Sequence, residues 1–301
     1  MLFKTNNTIP QNLHEIYVHR DCFYSFCDFC YTHQEDSWSP SIKLKSKRTP
    51  AHINDIRDAN TIFVSPWGIE QFLREEHHKI KSSYILITPF YGPVSTVSKY
   101  INDPKIIAWF GSSNRDAITF DKFTLIPLGM LPTTSYLFDD KKLFEFIKSQ
   151  NVTKTSLLYM NFYIHDSKTA NNALERMHVT SLFYNKSYCT HVVPTVSWRK
   201  PFVEYINEAA KHKFILSPEG DMQDCYRHWE SLVIGSIPVM RTNSIDPLFK
   251  DLPVLIVDDW SIINEQFLHD KYEEIISKKY NYSKLYMNYW YNKIKEKQHG
   301  Y

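Results

Sequence analysis

The stretch "KFILSPEGDMQDCYRHWESLVIGSIPVM", residues 213–240, sets its local signals in a fixed order. A strand-sized apolar run, "KFILS", stops at Pro218 and Gly220, residues that punctuate a chain. Asp224 then stands in position to cap a helix, because a short carboxylate accepts the orphan N–H groups of a first turn. Gly235 and Pro238 supply the stop. A second apolar run, "IPVMR", follows. Strand, helix and strand in this order form the building block of a parallel α/β sheet.

The same rhythm runs in both directions. "EIYVH" (15–19), "TIFVS" (61–65), "YILIT" (84–88), "KIIAWF" (105–110) and "FTLIPL" (123–128) read as buried strands. "SLLYMNF" (156–162), "HKFILSP" (212–218) and "LPVLIVDD" (252–259) continue the series. Helix candidates lie between them, including "IEQFLREEHHKIK", "TANNALERMH", "PFVEYINEAAK" and "CYRHWESLVIG". No internal repeat or low-complexity tract interrupts the alternation, so solenoids and propellers are not expected. The fold class is α/β. The polar segment 139–156 is the boundary candidate. It divides the chain into an N-terminal Rossmann-like domain (1–150), a second one (151–275) and a C-terminal helix (276–301) packing back across both.

At 301 residues the chain has room for two such domains, and a hydrophobic fraction of 43% can fill their cores. The net charge of +2 argues against a dedicated nucleic-acid coat. The longest apolar runs are strand-sized, so no membrane span is expected. Five cysteines, an odd and modest number, suit free thiols in a reducing compartment. The expectation is a soluble, cytoplasmic or otherwise intracellular protein. The Lys-, Asn- and Tyr-rich composition suits an AT-rich genome, bacterial or large-virus.

Six of the seven glycines (Gly68, Gly92, Gly111, Gly129, Gly220, Gly235) fall at or just past the ends of expected elements. There they serve either as plain turn residues or as points of close approach to a ligand. Ligands bind outside the carboxyl ends of strands in open α/β sheets. The loops "SPWG", "TPFYG" and "WFGSSNRD" would then line one wall of a cleft. On a helical wheel Cys225, Tyr226, Trp229, Leu232 and Val233 share one side, while Arg227, Glu230 and Ser231 share the other. Two readings of that second side stand. It is a solvated i, i+3 pair worth a few tenths of a kcal/mol, or an anion site. In the second case the helix N-terminus and the Arg227 fork would take a diphosphate.

The chained order Pro218, Gly220, Arg227, Glu230, Gly235, Ile237, Pro238 and Val239, followed by "LPVLIVDDW", resembles the C-terminal nucleotide-sugar motif of exostosin-like glycosyltransferases. The resemblance covers residues 213–260. "SLLYMNFYIHDSKTANNALERM" is a weaker match to the loop opening the family's second domain, and "EIYVHRD" a loose one to its first strand. The resemblance implies a GT-B fold, two Rossmann-like domains facing across a cleft, and transfer of a sugar from a nucleotide sugar to a glycan or glycoprotein acceptor with inversion. By the same resemblance Arg227 would hold the donor diphosphate and Glu230 its ribose. Ser217, Gly220, Asp221, Asn161 and Arg176 would complete the donor site. The sequence contains no Asp-x-Asp triplet, which fits an enzyme that needs no metal or other cofactor. The stretch also resembles, less closely, the donor motif of α1,3-fucosyltransferases. A binding module that kept the fold without catalysis is a further alternative.

Inversion requires a base for the acceptor hydroxyl. Asp116 in "SSNRDA" and His19 or Asp21 in "YVHRD" are the candidates, against the plainer reading of each as a capping or surface residue. "HRDCFYSFCDFCYTH" carries His19, Cys22, Cys27, Cys30 and His33, but the interval between Cys22 and Cys27 is far shorter than that between zinc ligand pairs. Its aromatics read as a packing segment holding free thiols. His77 and His78 read as part of a solvated helix face. The aromatic and lysine alternation in "KYNYSKLYMNYWYNKIKEK" reads as the amphipathic C-terminal helix rather than as a nucleic-acid stacking surface.

Overall fold

The computed structural model describes residues 2–5, 13–31, 48–50, 60–65, 68–88, 100, 102–112, 121–130, 139–164, 170–193, 202–220 and 222–299. Asp116, Asp221, His33, the side chain of Asp21 and most of the loops "SPWG", "TPFYG" and "WFGSSNRD" lie outside the described residues. The chain divides into two compact units, Met1–Leu128 with Tyr286–Tyr301, and Gly129–Leu285.

The first unit contains β1 (Leu2–Thr5), β2 (Phe29–Tyr31), β3 (Arg48–Pro50), β4 (Thr61–Val64), helix α1 (Ile69–Glu75), β5 (Tyr84–Thr88), β6 (Ile106–Gly111) and β7 (Phe123–Leu125). These strands form one sheet in the order β3-β1-β2-β4-β5-β6-β7. The five from β2 to β7 run parallel, and β1 pairs antiparallel with both β2 and β3. Every residue of β4 and β5 is buried, as expected for parallel strands covered on both faces. Phe29, Ile62, Val64, Phe72, Leu86 and Trp109 belong to one core cluster.

Three expectations change in this unit. "EIYVH" is not a strand: Leu13–Glu15 is a 3-10 turn, and Tyr17 makes a single isolated bridge to Tyr286. Its alternation is satisfied by packing instead, with the Ile16 carbonyl accepting Met287 N–H at 2.8 Å. His77 is not solvated. It is 4% exposed, with Nδ1 2.7 Å from Tyr84 Oη and Nε2 3.0 Å from Asp103 Oδ2. His77 opens a 3-10 turn, His77–Lys79, rather than lying within the helix the sequence reading extended over it. The boundary candidate 139–156 carries a helix, Asp139–Ser149, and the second unit begins before it, at Gly129. By contrast Cys22, Cys27 and Cys30 are buried free thiols among aromatic rings, as the packing reading expects.

The second unit runs α2 (Asp139–Ser149), β8 (Ser156–Met160), α3 (Ala170–Phe183), β9 (Cys189–His191), α4 (Phe202–Ala209), β10 (His212–Leu216), α5 (Tyr226–Val233), β11 (Ile237–Arg241), α6 (Asp246–Phe249), β12 (Leu255–Val257) and α7 (Glu265–Ile276). Its five strands are all parallel, in the order β12-β11-β10-β8-β9. The order reverses between β8 and β10, the pattern of a doubly wound sheet. Leu158, Met160, Phe214, Leu216 and Val239 face a core shared with Val179 and Phe183 of α3 and Leu268 of α7. Tyr159 points the other way and stacks on Tyr205 of α4, ring centroids 6.4 Å apart. Helix α5 ends as the sequence indicates. Gly235 takes a φ of 72°, its N–H donates to Leu232 O at 3.2 Å, and Ser236 N–H donates to Ser231 O at 2.8 Å. Together they form a Schellman stop.

Helix α8 (Met287–His299) belongs to the first unit and packs there against the turns at Leu13–Glu15 and Arg20–Phe26 and against β5. Among the described residues no helix is long and apolar enough to cross a membrane.

Candidate functional site

Where the strand order of a doubly wound sheet reverses, the loops leaving two neighbouring strands diverge and open a crevice at their carboxyl ends. In the second unit those loops follow β8 and β10. They begin at Asn161 and Ser217.

Arg227, the second residue of α5, bridges the two. Its Nε donates to Asn161 O at 3.1 Å, and its guanidinium carbon lies 5.6 Å from the centroid of Phe162. Arg176 of α3 lies 5.8 Å from the same ring. Its Nε donates to Glu219 O at 2.8 Å and its Nη1 to Tyr163 O at 2.7 Å. Cation–π attraction of about 0.5–1 kcal/mol per contact holds both guanidinium groups to one aromatic platform. The two Nη groups of Arg227 make no hydrogen bond to a described residue. A planar fork whose outer nitrogens bond to no described residue is suited to an anionic oxygen pair.

Gly220 makes this arrangement possible. A Cβ there would stand 2.7 Å from Arg176 Nη2, a separation that no side chain tolerates without displacing the arginine. Asn161 is fixed by Nδ2 donating to Tyr159 Oη at 2.9 Å. Ser217 is locked differently: its N–H donates to Val239 O at 2.8 Å, and its Oγ donates to Ile215 O at 3.3 Å. Asn161, Arg176, Gly220 and Arg227 thus come together, with Ser217 at the start of the same loop.

Beneath the loop lies a buried polar cluster that the sequence reading missed. Asp224 was expected to cap α5, but the cap position belongs to Cys225. Asp224 instead accepts Trp229 Nε1–H at 2.9 and 3.0 Å through its two oxygens, and lies 3.1 Å from His228 Nδ1. His228 Nε2 donates to Ser217 O at 3.1 Å. Burial disfavours a charged His228, yet Cys225 and Asp224 outweigh it and raise the pKa to about 10. The i, i+4 spacing of Asp224 and His228 was visible in the sequence, but assigning Asp224 to the cap concealed it.

A further correction concerns the open face of α5. Glu230 is 3% exposed and Ser231 is 0% exposed, so neither stands in solvent beside Arg227. Helix α4 covers that side, with Tyr205 Oη donating to Glu230 Oε2 at 3.2 Å. Burial, reinforced by the Glu230 charge, raises the Tyr205 pKa well above its ordinary value. Ser231 Oγ donates back to Arg227 O at 2.6 Å. A single-helix wheel cannot register the neighbour that buries its second face.

In the first unit His19 is 5% exposed, and its backbone N–H donates to Met287 Sδ at 3.4 Å. Among the described residues no three His, Cys, Asp or Glu side chains group as a metal site. A cavity of about 640 Å³ beside α3, lined by Ile164, Met177 and Tyr184 among others, contains none of the residues around Arg227.

No protein-family model matches the chain, and no curated protein sequence matches it. Among solved structures, the chain is similar to the N-terminal domain of the trehalose-6-phosphate phosphatase of Candida albicans, at 11% identity and a TM-score of 0.41. That match covers 95% of this chain and 79% of the other.

Proposed function

We propose that the chain is a glycosyltransferase that moves a sugar from a nucleotide-sugar donor to a hydroxyl of a glycan or glycoprotein, with inversion and without a metal. The observation that carries this reading is the Arg227 fork, held at the β8/β10 reversal with neither Nη group bonded to a described residue. A donor's diphosphate would lie against Arg227 and Arg176, whose charges would stabilise the leaving group in place of a cation. Asn161, Ser217 and Gly220 would shape the loops around it. Glu230 is buried and accepts from Tyr205 through Oε2, so in this reading a ribose reaches its carboxylate only as the cover over it opens. A GT-B arrangement of the two units, with the acceptor on the first, completes the proposal.

The burial of His19 favours a second reading, a nucleotide-sugar-binding module without turnover. Two measurements separate them. Nucleoside diphosphates and their sugars should raise the thermal midpoint of the wild-type protein, since a ligand bound only to the folded state stabilises it. Arg227→Ala should abolish that rise while leaving the unliganded midpoint within a few degrees. Donor hydrolysis or transfer supports the enzyme. Binding without either supports the module. If no nucleotide or nucleotide sugar shifts the midpoint, both readings fail.

A further inference from the structure

The outer face of α3 is apolar where a surface helix is ordinarily polar. Leu174, Met177 and Tyr184 stand along it at i, i+3 and i+10, each more than half exposed. The cavity of about 640 Å³ lies where that face meets Ile164 of the β8 loop. Its size is within the range of about 300–1,000 Å³ that small-ligand sites occupy. Ile164, Met177, Leu182 and the Tyr184 ring supply an apolar wall. Thr180 and Ser181 also line it, but their hydroxyls are committed within the helix. Thr180 Oγ1 donates to Arg176 O at 2.8 Å, and Ser181 Oγ to His178 O at 2.7 Å. The remaining polar side-chain atoms belong to three consecutive residues at the C-terminal end of α3: the Tyr184 hydroxyl, the Asn185 amide and the Lys186 ammonium. None of these three groups bonds to a described residue. A lysine just past a helix end ordinarily hydrogen-bonds the last carbonyls, and Lys186 does not. Among the described residues lining the cavity it is the only charged one. His191, whose ring lies 5.0 Å from that of Tyr184, adds no charge at pH 7, because burial holds its pKa below the ordinary value.

We propose that this cavity binds a monomeric amphiphile, a single acyl chain with an anionic head, the chain lying against Ile164 and Met177 and the head at Asn185 and Lys186. Nothing in this depends on the nucleotide-sugar reading, since the cavity contains none of the residues around Arg227. Polarity is graded along one axis. Met177 and Tyr184 are seven residues apart, about 10 Å along a helix, and the uncommitted polar atoms stand only at the far end. A wall whose hydroxyls are already paired disfavours sugars and nucleotides, whose polar groups would be buried without partners. The charge decides between the remaining occupants. One uncompensated cation matches one anionic head. Anionic bilayers are held by clusters of lysines and arginines, because each contributes little alone, and here a single lysine borders a concave site. A second copy docking through the same patch would bring another Lys186 and no acid to pair with it.

The test is calorimetric titration of the intact chain with decanoate below its critical micelle concentration. Decanol and decyltrimethylammonium, which keep the chain and change the head, serve as controls. The site is located by NMR of methionine methyl groups, with the Met177 resonance assigned through Met177→Leu. One decanoate should bind per chain and shift that resonance, decanol should bind more weakly, and the ammonium most weakly. Lys186→Gln should weaken decanoate by about two- to fivefold, the share of an exposed ion pair, and leave decanol unchanged. Lys186→Glu should reverse the order, so that the ammonium binds more tightly than decanoate. Met177→Asp should abolish binding of decanoate and decanol alike. Both side chains are exposed, so these variants should keep the wild-type urea midpoint. No saturable binding, equal affinity for the three heads, or an unmoved Met177 resonance overturns the proposal. Binding to phosphatidylglycerol vesicles without binding of monomeric decanoate also overturns it and makes the face a membrane contact. So does a sedimentation mass that doubles with concentration in wild type and not in Met177→Asp, which would assign the patch to a second copy.

Discussion

Replacing Asp224 with asparagine isolates the charge on which the β10 loop rests. The pair it breaks is sealed from solvent, with side-chain exposures of 1% for His228 and 0% for Asp224. Asparagine is nearly isosteric and still accepts from Trp229, so the change removes a charge and little else. A folded His228 near pKa 10, against an unfolded value near 6.5, sets an upper bound of roughly 5 kcal/mol. Removing one partner from a buried pair typically costs about 3–5 kcal/mol. We expect a loss of about 3 kcal/mol at pH 6. The sign with pH follows from the raised folded value: the stabilisation is complete below about pH 6.5 and is lost as pH rises through about 10. In the variant the buried ring stays neutral while the unfolded chain takes up a proton below about pH 6.5. The gap between wild type and variant is therefore widest at low pH and narrows toward pH 8.5. Both proteins keep Cys225, whose charge is the largest of the causes that raise the His228 pKa. Urea unfolding at the two pH values, read by pulsed hydrogen exchange on peptides from 212–240, reports on the second unit alone. A gap below about 1 kcal/mol at pH 6 would refute the ion pair. So would a gap of equal size at both pH values.

Two further changes test single causes. Gly235→Ala meets no atom within 4 Å, but it must adopt a φ of 72°. It should lower stability by about 1 kcal/mol through backbone strain alone, measured as a shift in urea midpoint with an unchanged slope. Lys154 donates to Ala210 O at 2.8 Å, Ile234 O at 3.0 Å and Ser236 Oγ at 2.7 Å, and burial lowers its pKa to about 8. Between pH 8 and 10 the unfolded chain holds a proton that the folded chain has lost, so wild type should gain about 2 kcal/mol relative to Lys154→Met across that window. A constant difference there, from urea titrations at both ends, would remove burial as the cause.

The parts of the fold that were legible in the sequence are those whose residues are buried on both sides. β4, β5 and β11 are apolar but for a terminal residue, and β10 from its third residue on, because parallel strands under helices leave no solvent face to encode. β1, β2, β3 and β9 were not read as strands. Each has only three or four residues, too few for a period to emerge. "EIYVH" failed in the opposite way. Its apolar residues are buried, but by turns and α8 rather than by a ladder, and composition alone does not distinguish the two. The segment 139–156 was read as a boundary from its polarity, which a half-buried helix with Phe144 and Ile147 on its inner side shows as readily.

The site divides along a different line. Arg227, Arg176, Asn161 and Gly220 were named from the order of residues along the chain, and the fold brings these four together through one hydrogen bond, one shared ring and one missing Cβ. Phe162, which holds both arginines, carried no sequence signal of its own, because an aromatic after a strand is more often core. Glu230 and Asp224 were identified as polar groups, but their partners within the fold were not. A wheel gives directions around one axis, whereas the partners of these carboxylates come from α4, through Tyr205, and from the Trp229 ring. Arg227 lies on the same helix, yet its two Nη groups meet no described partner while both carboxylates are satisfied from within the fold. That asymmetry makes Arg227 the one of these three charged groups whose outer atoms the described residues leave unengaged, and it is the reason the donor proposal is built on Arg227 and not on either carboxylate.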